Sequence, residues 1–109
     1  MDKTFYELLL NSIKDPILFA DTGHVVKYMN IAAYNHYEEG EGLLHSNLLD
    51  CHNEESQKIM IEILTEMQNG LEEKLITDNE KHRIFMRSVR DENGVLLGYF
   101  ERYEPPLKK

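Results

Sequence analysis

The sequence predicts an α+β domain: a five-stranded antiparallel sheet with helices packed on one face and an N-terminal helix outside the core. Three observations carry this. Two segments, 4–14 and 54–69, space their apolar residues as a helical stripe. Five other runs, at 17–20, 25–29, 71–77, 81–90 and 95–103, read as strands, and neighbouring runs are joined by short polar turns, as antiparallel pairing allows. At 109 residues the chain has the size of one domain, able to bury roughly two-thirds of its unfolded surface around one core.

In the first segment Phe5, Leu8, Leu9 and Ile13 share the stripe, with Leu10 beside it and Asp2 or Thr4 available as N-cap. Asp15-Pro16 ends the helix, because the proline ring crowds helical backbone in the residue before it. The runs 17–20 and 25–29 flank Asp21-Thr22-Gly23-His24, a hairpin turn with glycine available for a positive φ. Asn30 is placed to cap a short helix over 31–37 by accepting an orphaned backbone N–H. Residues 38–42 hold three glutamates and two glycines and read as a solvated bend. Leu43, Leu44, Leu48 and Leu49 are spaced for short helical turns. The long helix then places Ile59, Met60, Ile63, Leu64 and Met67 on one face, with Glu54 and Glu55 at the positive end of its dipole and Gly70 as C-cap. Each of those side chains, fully buried, contributes roughly 1.5–3 kcal/mol before conformational entropy is set against it. Pro105-Pro106 stops the last strand.

Pairing 81–90 with 95–103 across Asp91-Glu92-Asn93-Gly94 puts Ile84, Met86, Ser88, Leu97 and Tyr99 on one face, and Phe85, Arg87, Val89, Leu96, Gly98 and Phe100 on the other. The first face is expected to meet the core, since the second must accommodate Arg87 and, further along, Arg83 and Arg102. Phe85, Val89, Leu96 and Phe100 then need a cover. The stripe Phe5, Leu8, Leu9, Ile13 is expected to supply it, within one subunit or across a homodimer.

Twenty acidic against twelve basic residues give a net charge of −8, which repels phosphate backbones and anionic membranes, so neither nucleic acid nor membrane is an expected partner. One cysteine cannot form an internal disulfide, and no stretch resembles a signal peptide or a membrane span; the expected location is cytoplasmic. A nucleophile elbow, a phosphate-cradling glycine loop and a metalloprotease helix are all missing, so no enzyme activity is expected.

The order of elements, with two local motifs, resembles the PAS domain. Residues 15–33, from Asp15-Pro16 through Asp21-Thr22-Gly23 to Asn30-Ile31-Ala32-Ala33, look like the PAS opening, in which a strand ends in Asp, turns at Gly and returns to an Asn that starts a helix. Val89-Arg90-Asp91-Glu92-Asn93-Gly94, followed by Gly98, is similar to the family's closing hairpin. Residues 50–56 most resemble PAS modules attached to haemerythrin-like domains in anaerobes, which show Cys-His-Pro-Pro-x-Ser where this chain has Cys51-His52-Asn53-Glu54-Glu55-Ser56. Both prolines are replaced. The resemblance divides the chain into a flanking helix (1–14), a PAS domain (15–104) and a short tail (105–109). The family's usual Asp-Ile-Thr-like ending and signalling helix give way to Arg102-Tyr103-Glu104-Pro105-Pro106, so output is expected to pass through dimer geometry or to a separate effector protein.

Cys51 and His52 adjoin at the start of the long helix and admit three readings. Cys51 can pack as a small apolar residue while His52 or Asn53 caps the helix. Thiolate and imidazole can instead ligate haem iron or another metal, or the helix N-terminus can lower the Cys51 pKa for redox sensing. Haem-binding PAS domains commonly take their histidine from the long helix, and 54–69 has none; His45 is near in sequence but makes no recognised zinc spacing with Cys51 and His52. Flavin has less support than haem, because the Asn-Cys-Arg-Phe context of the light-sensing branch is missing.

Tyr28, Tyr34, Tyr37 and Tyr99, with Met60, Met67 and Met86, offer rings and soft sulfur for a pocket between sheet and helices; ordinary core is the alternative for each. The cofactor-binding set expected from these considerations is Cys51, His52, Tyr34, Met60, Leu64, Met86, Ser88 and Tyr99, with Cys51 and His52 as metal ligands if haem is bound. Ser88 brings a hydroxyl to the inner face and needs a partner there. Arg83 and Arg87 beside Glu101 read as a solvated charged patch, and His24, on a turn, as exposed. The function expected is a sensor module holding a small molecule or cofactor between sheet and long helix; the alternative is a ligand-free dimerisation or docking module.

Overall fold

The computed structural model of the protein describes residues 3–37 and 40–107. Elements follow in the expected order: α1 (Lys3–Asn11), β1 (Leu18–Asp21), β2 (Val26–Met29), α2 (Ile31–His36), 3-10 turns at Gly40–Leu43 and Leu48–Cys51, α3 (Glu54–Gln68), β3 (Glu73–Asp78), β4 (Arg83–Arg90) and β5 (Leu96–Glu104). The strands form one antiparallel sheet in the order β2-β1-β5-β4-β3. The first and last thirds of the chain therefore meet at the β1–β5 seam.

Asn30 organises the N-terminal third. Its Oδ1 accepts the Ala33 N–H at 2.9 Å, the expected cap of α2, and also the Ile17 N–H at 2.9 Å. Its Nδ2 donates to the carbonyls of Leu10 and Asp15, each at 3.1 Å. One buried side chain thus joins the end of α1, the start of β1 and the start of α2. The apolar stripe of α1 is not buried against the sheet. It contributes no buried residue, and Leu8 stays 63% exposed. Within this subunit the outer face is dressed instead by ions: Arg102 bonds Glu73 at 2.6 Å and also Glu104, Arg83 meets Glu104 at 3.1 Å, and both guanidinium groups lie over the Phe85 ring.

The core lies between the inner sheet face and α3. Met60, Ile63, Leu64 and Met67 of α3 are buried with Leu18, Ala20, Val26, Met29, Met86 and Tyr99. Asn53 caps α3 by accepting the Ser56 N–H at 2.8 Å, one of the two caps expected there. Ile59 departs from expectation. It is 49% exposed, at the edge of the stripe, and lines the cavity between α3 and the sheet.

The β4–β5 pairing corrects one assignment of faces. Val89 lies opposite Gly98, but Arg90 lies opposite Leu96, so Leu97 is an extra residue that bulges out of the ladder. The bulge reverses the alternation beyond it: Leu96 packs against the core and Leu97 is 47% exposed. Gly98 follows directly and abuts β1, where a Cβ would collide with the Ala20 carbonyl oxygen and come within 2.9 Å of Asp21 Cα. Only glycine lets the two strands approach this closely there.

His24 corrects a second expectation. It adopts the positive φ (64°) that Gly23 was expected to take, and it is buried. Its Nδ1 lies 2.9 Å from the Tyr99 hydroxyl, and its carbonyl accepts the Leu48 N–H at 2.7 Å. Burial lowers its pKa, against a smaller opposing effect of Asp21.

Candidate functional site

Directly paired residues of an antiparallel ladder share a face. One inner row crossing the sheet reads Met29, Leu18, Glu101, Met86 and, on β3, Lys74, which pairs with Glu66 of α3. A carboxylate therefore stands between two apolar neighbours, Leu18 and Met86, in this row. Beside it, between the sheet and the N-terminal part of α3, lies a cavity of about 140 Å³ lined by His52, Ser56, Ile59, Met60, Ile63, Ile76, Thr77, Met86 and Glu101. A second compartment of about 220 Å³ is lined by Tyr37, Leu43, Leu48, Cys51, His52 and Glu101. Glu101 and His52 line both.

Local sequence builds each wall. The 3-10 turn Leu48–Cys51 is started by Asn47, whose side chain accepts the Leu49 N–H at 2.9 Å, and it buries Leu48. The Gln57 amide reaches back from α3 to the carbonyls of Leu49 and His52, both at 2.9 Å, and fixes the turn to the helix. His52 Nδ1 lies 2.9 Å from the Leu48 carbonyl. A carbonyl only accepts, so Nδ1 carries the proton and Nε2 is the basic nitrogen of the neutral ring. On the sheet side, the β3–β4 register shifts between Leu75 and Thr77. This bulge lets the neighbours Ile76 and Thr77 both line the cavity.

Glu101 is half-buried. Burial raises its carboxyl pKa, while the charge of His52 and the hydrogen bond from Tyr37 oppose the rise. That hydrogen bond is long, 3.4 Å from the Tyr37 hydroxyl to Oε1. The Tyr37 hydroxyl lies closer to that of Tyr103, at 3.0 Å, and the Tyr103 hydroxyl is 3.4 Å from His36 Nε2. Burial, with the nearby Glu101 charge, pushes the Tyr37 phenol far above its ordinary range, so it stays a neutral donor. A file of polar groups runs from the cleft to exposed His36. Arg83 and Arg87, expected beside Glu101, lie across the sheet from it: alternation puts them on the outer face, where they pair with Glu104 and Glu73.

Of the expected site residues, the structure brings Cys51, His52, Met60 and Met86 to the two compartments. Tyr37, weighed as a pocket ring, joins them, whereas Tyr34 and Tyr28 line an open groove beside α1 with Glu7 and Asn11. Leu64, Met67 and Tyr99 are buried core residues outside both linings, and Ser88 pairs with Tyr99 on the inner face away from them. Cys51 is exposed rather than packed. Sequence reasoning missed Glu101 as a cleft residue. The signal was present: continuing the alternation through Leu97 and Tyr99 leads to Glu101, and its charge assigned it to the wrong face.

His52 offers an imidazole nitrogen, but each compartment is smaller than the roughly 300–1,000 Å³ that holds drug-sized ligands. Neither compartment alone is large enough for a porphyrin. Among the described residues no group of three or more His, Cys, Asp or Glu side chains is arranged to hold a metal ion, and no helix is long and apolar enough to cross a membrane.

Neither a protein-family model nor a curated protein matches the sequence. Solved structures do match. The C-terminal domain of a Streptococcus mutans protein superposes with a TM-score of 0.80 at 18% identity, covering 99% of this chain and 87% of that one. The PAS domain of Bordetella pertussis BvgS gives a TM-score of 0.65 at 14% identity, covering 97% and 87%. The Aer2 receptor of Vibrio cholerae, a dual PAS-haem oxygen sensor, gives 0.61 at 14% identity, covering 82% and 91%. At these identities the likeness concerns architecture, and with the five-stranded antiparallel sheet and the helices on its inner face it establishes that this chain has the PAS fold.

Proposed function

We propose that this protein is a cytoplasmic sensor module that binds a small molecule in the cleft between sheet and α3 and passes its occupancy to a protein partner. The observation carrying this reading is the pair of compartments that meet at Glu101 and His52. A half-buried carboxylate between apolar neighbours weakens the fold unless something offsets its desolvation, and such groups persist where function needs them. The file Glu101, Tyr37, Tyr103, His36 supports the second half of the reading, since a ligand that recruits Glu101 alters the hydrogen bonding of groups reaching the surface. The likeness of residues 50–56 to modules attached to haemerythrin-like domains makes such a domain one candidate for the output.

Methionine methyl signals test the cleft directly. Met60 and Met86 line it, whereas Met29 and Met67 are core residues outside it. A library of small metabolites is expected to contain compounds that shift the first pair and leave the second in place. A library in which nothing moves Met60 or Met86 removes the ligand-binding reading.

A second reading, a homodimerisation or docking module, is favoured by the exposed stripe of α1, with Leu8 63% and Leu9 51% exposed. In this reading a homodimer through α1 and the outer sheet face is the output, with or without a ligand.

A further inference from the structure

We infer that the cleft recognises a small organic cation: a primary ammonium set against the Glu101 carboxylate, carrying one compact apolar group that fills the space between Met60, Ile63 and Met86. The inference rests on the ligand-binding reading above and adds the chemical class of the ligand.

Four observations carry it. Glu101 stands between Leu18 and Met86 in its row, and alternation holds Arg83, Arg87 and Arg102 on the opposite face, engaged with Glu73 and Glu104. The cations on the inner face are engaged elsewhere: Lys74, next to Met86 in the same row, pairs with Glu66 of α3, and Arg90 donates to the carbonyls of Met67 and Leu71. The groups that do face it are His52, from the turn before α3, and Tyr37, after α2; the Tyr37 hydroxyl serves Tyr103 at the shorter distance. Glu101 lines both compartments, so its carboxylate borders space in which a donor can sit.

The third observation is size. The compartment beside α3 measures about 140 Å³ and is walled mainly by isoleucine and methionine. An apolar cavity of about 150 Å³ takes benzene. The apolar part of the ligand is thus one ring or a short branched chain. The fourth is charge. The chain carries −8 overall, and a ligand carboxylate placed here would meet Glu101 in a partly desolvated site, where like charges repel most strongly. A cation offsets that desolvation, and a charge-assisted N–H···O bond is roughly twice as strong as a neutral one. Met60 and Met86 are unbranched and adaptable, which suits a ring entering between sheet and helix.

Benzylammonium, benzyl alcohol and benzoate share a ring and differ in charge, and they test the inference on the full chain by calorimetry and methionine methyl shifts. Benzylammonium is expected to shift Met60 and Met86 and to bind at least about tenfold more tightly than benzyl alcohol, with benzoate weakest. Glu101→Gln is expected to fold and to lose that tenfold preference while benzyl alcohol binding changes less than about threefold. His52→Ala, which removes a competing partner and keeps the carboxylate, is expected to retain the preference; it supplies the test even if Glu101→Gln does not fold. Equal binding of alcohol and ammonium, a preference that survives in Glu101→Gln, or one lost in His52→Ala overturns the cation assignment and leaves the cleft reading standing. Failure of all three probes to shift Met60 or Met86 overturns the assignment of class and size, while the metabolite library decides the cleft reading separately.

Discussion

Asn30 shows how much one side chain carries in this fold. Its oxygen serves the N–H groups of Ile17 and Ala33, and its amide serves the carbonyls of Leu10 and Asp15, so an alanine there removes a helix cap and leaves one buried and several part-buried groups without this partner. A cap is worth about 1 kcal/mol and each stranded buried group about 1–3 kcal/mol. Asn30→Ala is therefore expected to cost about 2–4 kcal/mol in urea denaturation; a loss below about 1 kcal/mol means that water replaces these contacts. Half of this role was legible. The cap follows from Asn before a short apolar helix, but the other partners lie 13 to 20 residues upstream, and only folding places them.

At the scale of elements, α1 is the least supported. It is nine residues long and contributes no buried residue, while isolated helices shorter than about 12–15 residues are marginal in water. What ties it down is its C-terminal end, through Asn30 and through Asn11 Oδ1, which accepts the Ile31 N–H at 2.9 Å. In the homodimer reading its exposed leucines meet a second copy. Light scattering is expected to show the full chain as a dimer and the 15–109 chain as a folded monomer, less stable by about 1 kcal/mol through the contacts Asn30 loses. Equal subunit counts for both chains remove α1 from the dimer. The bulge at Leu97 belongs to this scale too. Strict alternation predicts Leu97 inside and Leu96 outside, and no local feature of the sequence counts the extra residue; the register against β4 does.

For the molecule as a whole, ionisable groups whose pKa shifts on folding set opposing slopes of stability against pH. His24 has its pKa lowered by burial, so the unfolded chain binds its proton more readily; its contribution is complete above about pH 6.5 and is lost as pH falls below that toward the folded value. Glu73, whose pKa is lowered chiefly by its hydrogen bond with Arg102, contributes above about pH 4.3 and loses that contribution as pH falls further. Glu101 acts the other way. Its raised pKa contributes stability that is complete below about pH 4.3 and lost as pH rises through the folded value. Between pH 7 and pH 5 His24 is expected to lower the denaturation midpoint as pH falls, with a slope of at most about 1.4 kcal/mol per pH unit, against the rise that Glu101 contributes. His24→Asn, which tolerates the positive φ, is expected to flatten that arm. An unchanged slope in this variant assigns the acid sensitivity to other groups.

The sequence by itself determined the order of elements, the α3 stripe, the caps at Asn30 and Asn53, and so the α+β class, because these depend on periodicity and on contacts within a few residues. It also placed Cys51, His52, Met60 and Met86 near one cleft. Tertiary structure decided which strand faces turn inward past the Leu97 bulge, that His24 is buried on Tyr99, that Tyr34 faces a different groove, and that Glu101 stands inside the cleft. Those outcomes depend on register and on partners tens of residues away. A charged residue in a strand reads as solvent-facing until the pairing of β5 with β1 and β4 shows that its row is the one turned toward α3.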